Sequence, residues 1–220
     1  MSAPQITLYF DIGSPFSHIA FHVLKNSPVF SKCEIQYIPA SMKDIFQLCQ
    51  NAPPLAVKNK SPWLNRERLY WARRFDVPMS RSIPKGFPAS TVHLQTALAL
   101  VAQQAPEKLV PIAEKLYETF WANGDTTIIT PEMFSPVFEN ELGGDVAKAI
   151  LTESTEPKGK SLFDENTQKA FASGAFGLPW FECTNAEGEK EEHWGIDHLG
   201  RVADFLRLDT TVDPSFKVLL

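Results

Sequence analysis

Hydrophobic and polar positions follow two different periods along this chain. Ile6, Leu8 and Phe10 alternate with Thr7 and Tyr9, and Ile35 and Tyr37 alternate with Glu34, Gln36 and Ile38, which is close to the period of two strands, residues 6–10 and 34–38. Between them Ile19, Ala20, Val23 and Leu24 recur at helical spacing and predict a helix over residues 16–25. From about residue 41 to 173 the strand period disappears, and helices are predicted at 42–49, 64–74, 91–103, 107–122, 131–140, 145–153 and 162–172, with Pro- and Asn-rich loops between them. The strand pattern returns at 180–184 and 192–194 around a turn at 185–188, and a last amphipathic helix is predicted over 197–206. The pattern therefore describes an α/β frame, residues 1–40 and 174–220, split by a large all-helical insertion, residues 41–173.

Composition narrows the classes of function. With 220 residues, 44% hydrophobic and 21% charged, the chain can bury a sizeable core and does not read as disordered. Its net charge is −5, and its basic residues amount to Arg73-Arg74 and the loose group Lys58, Lys60, Arg66 and Arg68, so nucleic acid is not expected as a partner. Cys33, Cys49 and Cys183 are odd in number and far apart, giving neither a disulfide framework nor a metal-ligand spacing; a reducing compartment and no metal are expected. Residues 1–5 are too short for a targeting peptide, no apolar run approaches the roughly 18–20 residues of a membrane span, and Lys217-Val218-Leu219-Leu220 lacks the Ser-Lys-Leu address. A cytoplasmic protein without a membrane span is the expectation.

The chemistry concentrates where the first strand meets the first helix. Ser14 suits the N-cap, and Pro15 suits the first helical position because its missing N–H would be unpaired there. Thr130-Pro131 repeats the device at another predicted helix start. A hydroxyl so placed sits beside unpaired backbone N–H groups and the positive end of the helix dipole, which equips it to steady an anion. Thioredoxin-type folds carry Cys-x-x-Cys at this position; here Ser14 and Ser17 stand there instead. The stretch Leu8-Tyr9-Phe10-Asp11-Ile12-Gly13-Ser14-Pro15-Phe16-Ser17 resembles the opening of the kappa-class glutathione transferases and the related 2-hydroxychromene-2-carboxylate isomerases, of the DsbA-like branch of the thioredoxin superfamily. Asn51-Ala52-Pro53-Pro54, Gly174-Ala175-Phe176-Gly177-Leu178-Pro179 and Trp194-Gly195-Ile196-Asp197-His198-Leu199 follow in the family's order, so the resemblance spans residues 6–206.

The resemblance implies a thioredoxin-like fold with a cis-proline at Pro179, a homodimer, and glutathione as co-substrate or cofactor. A mitochondrial or peroxisomal location is as compatible with it as the cytoplasm. It makes Ser14 the hydroxyl that donates to the glutathione sulfur, Asn51 and Lys60 the holders of the glycyl end, Leu178 beside Pro179 the backbone partner of the cysteinyl unit, and Asp197 after Ile196 the partner of the γ-glutamyl ammonium. The charges of glutathione, two carboxylates and one ammonium, suit such a set. The activity implied is glutathione transfer to a small hydrophobic electrophile; an isomerase reaction, a disulfide oxidoreductase and a non-catalytic glutathione-binding protein are the alternatives. Plainer readings stand beside these: Lys60 as a solvated charge in a loop, Asp197 as an N-cap, Ser17 as support for the cap, His18 as a helix-face residue, Cys183 as core, and Trp63, Tyr70, Trp71 and Phe75 as core or as lining of the electrophile pocket. Three positions depart from the family: Phe16 for tyrosine, His18 for tryptophan, and Ile196 for a polar residue, which removes one donor from the γ-glutamyl end.

Overall fold

The structure, a computed structural model, describes residues 2–218; Met1, Leu219 and Leu220, which enter the reading of targeting signals, lie outside the described residues. Four strands, β1 (Gln5–Phe10), β2 (Glu34–Pro39), β3 (Trp180–Thr184) and β4 (Lys190–Trp194), form one mixed sheet in the order β2-β1-β3-β4. Helix α1 (Pro15–Asn26) crosses between the parallel pair β1 and β2, whereas β3 runs antiparallel to both β1 and β4. The register sets Ile6 opposite Ile35 and Cys183, and Leu8 opposite Tyr37 and Phe181. Because side chains alternate across a strand, Ile6, Leu8 and Phe10 enter the main core while Tyr9 faces a smaller cluster with Ala170, Leu178 and Trp180.

Between β2 and β3 the chain is helical, as the loss of the strand period predicts: α2 (Met42–Leu48), α3 (Lys60–Arg74), α4 (Val92–Gln104), α5 (Pro106–Tyr117), α6 (Pro131–Leu142), α7 (Gly144–Glu153) and α8 (Pro157–Ala172). A short α9 (Leu199–Phe205) follows β4. No described helix is long and apolar enough to cross a membrane. The observed α4 buries every residue from Leu94 to Val101 and packs against β2 as well as α5 and α8, so the insertion and the sheet share one continuous core. For the same reason α1 buries Ser17, His18 and Phe21 in addition to its predicted stripe. Cys183 is core as expected, and Cys33 and Cys49 are half-buried free thiols.

Helix α8 begins at Pro157 rather than 162, and two further boundaries differ from the sequence expectation for identifiable reasons. Helix α3 begins at Lys60 rather than 64: Pro62, which resembles a breaker, falls in the first turn, where proline costs nothing, and Asn59 at φ +67° supplies the reversal before it. The 107–122 helix divides into α5 and a wider π-helical turn, Glu118–Ala122, which carries Phe120 and Trp121 into the core.

Gly159, near the start of α8, gives the fold's sharpest test. Replacing a helical glycine by alanine ordinarily stabilises, by about 0.5–1 kcal/mol. Here an added Cβ would stand 2.4 Å from the Glu153 carbonyl oxygen and 3.1 Å from the Ser154 Cα, both backbone atoms with little freedom to move. We expect Gly159→Ala to destabilise the protein by about 1–3 kcal/mol in urea unfolding; a raised midpoint would show that α7 and α8 are not in this contact.

Candidate functional site

Between β1 and α1 the segment Asp11-Ile12-Gly13-Ser14 is entirely buried, so its backbone polar groups must find partners inside the protein. Side chains of the inserted helices provide them. Gln95 of α4 donates to the carbonyls of Phe10 at 2.9 Å and Ala40 at 3.2 Å, and accepts the Ile12 N–H at 3.3 Å. Trp121 Nε1 donates to the Ile12 carbonyl at 2.8 Å, and the Tyr117 hydroxyl to the Asp11 carbonyl at 3.3 Å. The Asp11 carboxylate folds back to accept the Gly13 N–H and the Thr91 hydroxyl, each at 2.8 Å, and the Met42 N–H at 3.1 Å. Burial pushes the Asp11 carboxyl above its ordinary range, while these three hydrogen bonds pull against that rise.

Held this way, Ser14 takes the extended backbone of an N-cap, and its Oγ accepts the Ser17 N–H at 3.1 Å, as the Ser-Pro pattern predicts. Its hydroxyl reaches the Leu178 carbonyl at only 3.5 Å, the outer limit of a hydrogen bond. A proton held so loosely can be redirected to a bound anion at small cost. The Leu178-Pro179 peptide is cis, as the resemblance implies.

That proline loop is the hub on which other predicted residues converge. Asn51 Nδ2 donates to the Phe176 carbonyl at 3.3 Å, tying the Asn-x-Pro-Pro loop to it. The Gly195 N–H donates to the Pro179 carbonyl at 3.1 Å, bringing the segment that holds Ile196 and Asp197 alongside. Gly195 is required there: its φ is +84°, and a Cβ would stand 2.5 Å from Asp197 Oδ1. Phe176 lies against both Trp180 and Trp194, and its ring remains partly exposed beside the loop.

Other predicted residues are placed differently from the sequence reading. Asp197 is no N-cap: it lies inside the 3₁₀ turn Ile196–His198, makes no capping bond, and keeps a side chain 59% exposed, 3.5 Å from His198 Nδ1. Ile196 turns its side chain into the core, so only its main chain can meet a ligand. Lys60 is the first residue of α3 rather than a loop residue and is exposed. Trp63 and Tyr70 are exposed on α3, Trp71 and Phe75 stack on each other against the core, and Tyr70 meets Trp71 edge-on. Phe16 is half-buried against the core. Ser17 is fully buried, its Oγ unpartnered, and its N–H serves the cap.

His18 packs its ring on Tyr117 at 4.8 Å between centroids and 11° between planes, and its Nδ1 has no partner. Burial first, and His22 second, lower its pKa to about 3, which makes it a neutral packing group near pH 7 rather than a base. Among the described residues no group of three His, Cys, Asp or Glu side chains could hold a metal ion. No motif along the chain singles out Asp11, Thr91, Gln95, Tyr117 or Trp121 for a role. Asp11 alone carries a local signal, an acid two residues before Gly13 that can form an Asx turn.

A depressed histidine pKa has a definite sign in stability. His18 binds its proton near pH 6.5 when unfolded and near 3 when folded, so its contribution is fully present above pH 6.5 and is lost as pH falls from 6.5 toward 3. We expect the His18 ring to keep neutral-imidazole NMR shifts at pH 5 and His18→Phe to flatten the acid limb of the stability curve. A ring that titrates near 6.5 would refute this placement.

Comparison with known proteins agrees with this geometry. The DSBA-like thioredoxin domain matches residues 5–207. The chain is 26% identical over 208 residues to glutathione S-transferase kappa 2 of Caenorhabditis elegans, covering 91% of each protein. It is 25% identical over 211 residues to 2-hydroxychromene-2-carboxylate isomerase of Sphingobium xenophagum, covering 91% of this chain and 97% of that one. The solved structure of a 2-hydroxychromene-2-carboxylate isomerase superposes with a TM-score of 0.75 at 20% identity, over 92% of this chain and 94% of the other. With a mixed sheet, a cis-proline loop facing a capped helix and a match over nearly its whole length, the chain belongs to the family of DSBA-like thioredoxin domains.

Proposed function

We propose that this protein is a glutathione transferase of the kappa-class type, which binds glutathione as a thiolate beside Ser14 and adds it to hydrophobic electrophiles. The observation that carries the reading is the Ser14 hydroxyl, buried at the N-terminus of α1 and only loosely engaged 3.5 Å from the carbonyl that precedes the cis-proline. A free thiol near pKa 8.5 needs a shift of about two units, roughly 2.7 kcal/mol, to be mostly ionised at neutral pH. One charge-assisted hydrogen bond contributes about 1.5–3 kcal/mol and a helix N-terminus about 0.3–1, so no general base is needed. His18, neutral and packed on Tyr117, is consistent with that.

On this reading the frame of residues 1–40 and 174–220 holds the peptide together with Asn51 and Lys60 of the insertion. Leu178 beside Pro179 faces its cysteinyl unit, Asn51 and Lys60 its glycyl end, and Asp197 with the main chain of Ile196 its γ-glutamyl end. Residues 41–173 cover the electrophile, and the active form is a homodimer. The thiolate attacks the electrophilic carbon, a carbon–sulfur bond forms, and the leaving group departs with its electron pair. The isomerase relative favours a second reaction at the same site, in which the thiolate adds reversibly to a conjugated carbonyl and leaves after bond rotation. Disulfide exchange through the active-site turn is disfavoured, because Ser14 and Ser17 offer no thiol there.

Glutathione calorimetry, followed by an aryl-halide conjugation assay, tests the reading. Ser14→Ala should raise the bound thiol's pKa by about one to two units and slow conjugation near neutral pH at least tenfold, by order of magnitude, while glutathione still binds. Asp197→Ala should weaken binding by about 1 kcal/mol, a modest effect because the carboxylate is largely exposed. Failure of the unaltered protein to bind glutathione overturns the proposal, as does an unchanged thiolate absorbance and pKa in Ser14→Ala. Light scattering at the mass of a monomer overturns the dimer.

A further inference from the structure

The Asp11 carboxylate is buried, and no Lys, Arg or His among the described residues pairs with it. Its oxygens instead meet three donors from three parts of the fold: the Gly13 N–H within its own turn, the Thr91 hydroxyl just before α4, and the Met42 N–H at the start of α2. The Asp11 carbonyl accepts the Ser14 N–H at 2.9 Å. One residue thus holds the peptide groups on both sides of Gly13. The fit is tight, since a Cβ on Gly13 would stand 3.3 Å from Asp11 Oδ1 and 3.2 Å from Thr91 Cγ2.

We infer that Asp11 is a positioning residue for Ser14: its carboxylate fixes the Ile12-Gly13 peptide, next to the Gly13-Ser14 peptide that its main-chain carbonyl holds, so that the Ser14 hydroxyl and the first N–H groups of α1 converge on one anion. The inference rests on the reading of Ser14 as an anion-holding hydroxyl. Two effects of Asp11 oppose each other there. As a negative charge near the site it disfavours a second anion; as an anchor it aims the donors that stabilise one. On this inference the anchoring effect is the larger, since three donors meet the carboxylate oxygens. Through Met42 the same carboxylate ties the Ser14 turn to α2, and through Thr91 to α4.

A thiol installed by Ser14→Cys reports the donor field directly, without requiring glutathione. Its pKa, followed by thiolate absorbance, should lie below that of an ordinary cysteine thiol. Adding Asp11→Ala should raise that pKa by about one unit or more, because the donors lose their aim, and Thr91→Val should raise it less. Adding Asp11→Asn removes the charge and the Met42 bond but keeps an acceptor oxygen for Gly13 and Thr91, so the pKa should lie at or below the Ser14→Cys value and not above it. If the carboxylate acts as a charge alone, Asp11→Ala and Asp11→Asn both lower the thiol pKa. If it is merely structural, melting temperatures fall and the pKa stays put. Either result overturns the inference. Should the alanine variant fail to fold, the Asn and Val variants still separate these outcomes. Absence of glutathione binding by the unaltered protein would sink the transferase reading alone, leaving the thiol measurements to decide the role of Asp11.

Discussion

A buried turn must have its backbone hydrogen bonds made for it, and in this protein the turn between β1 and α1 has them made by residues distant in sequence. Ile12 is held through its N–H by Gln95 and through its carbonyl by Trp121, while Tyr117 holds the Asp11 carbonyl. Each such group left unpaired would cost about 1–3 kcal/mol. The cost fixes the turn in one conformation and makes the inserted helices part of the machinery that aims Ser14. The shared core follows from the same constraint, because α4 can deliver Gln95 to the ends of β1 and β2 only by packing on the sheet.

The proline loop supplies the opposite wall. Its carbonyls at Phe176, Leu178 and Pro179 receive, in turn, the Asn51 amide, the Ser14 hydroxyl and the Gly195 N–H. Contacts from three separate segments thereby meet on four consecutive residues. The Gly195 bond is of ordinary length, the Asn51 bond is longer at 3.3 Å and the Ser14 bond lies at the limit of one, so the loop is fastened firmly at Pro179 and is slack at Leu178. Slackness there suits the proposed site, in which the Ser14 hydroxyl gives up little in turning toward a ligand.

Ionisable groups near the turn divide by how burial treats them. Burial keeps His18 neutral and pushes Tyr117 far above the range in which it could ionise, so these two stacked rings act as packing near pH 7. Asp11 differs because three donors surround its oxygens and offset part of the same penalty. Asp197 and Lys60 remain exposed, where their charges are screened by water and act weakly over distance. The buried hydroxyl that reaches the cis-proline loop, and is held there only loosely, is that of Ser14.

Local features of this protein were readable from the chain itself. Strand and helix periods located β1, α1, β2 and β3 within a residue or two, and Ser14-Pro15 announced a cap that the structure contains, because caps and amphipathic faces depend on residues a few positions apart. Four ordered motifs pointed to the thioredoxin-like frame and to the cis-proline. The sequence pattern places Lys60 in a loop whereas α3 begins there, and Pro62 carries no signal to the contrary, since a proline in a first turn and a proline that breaks a helix look alike in sequence. Ile196 could not be known as a core residue, nor Asp197 as an exposed member of a 3₁₀ turn, until the Gly195 to Pro179 bond fixed that segment. Gln95, Thr91, Tyr117 and Trp121 lie about 80 to 110 positions from the turn they complete, a separation over which no periodicity carries information. Sequence determined which elements form and which hydroxyl caps the first helix; only packing decided which side chains hold that hydroxyl in place, because buried polar groups are satisfied by whatever the fold brings within about 3 Å.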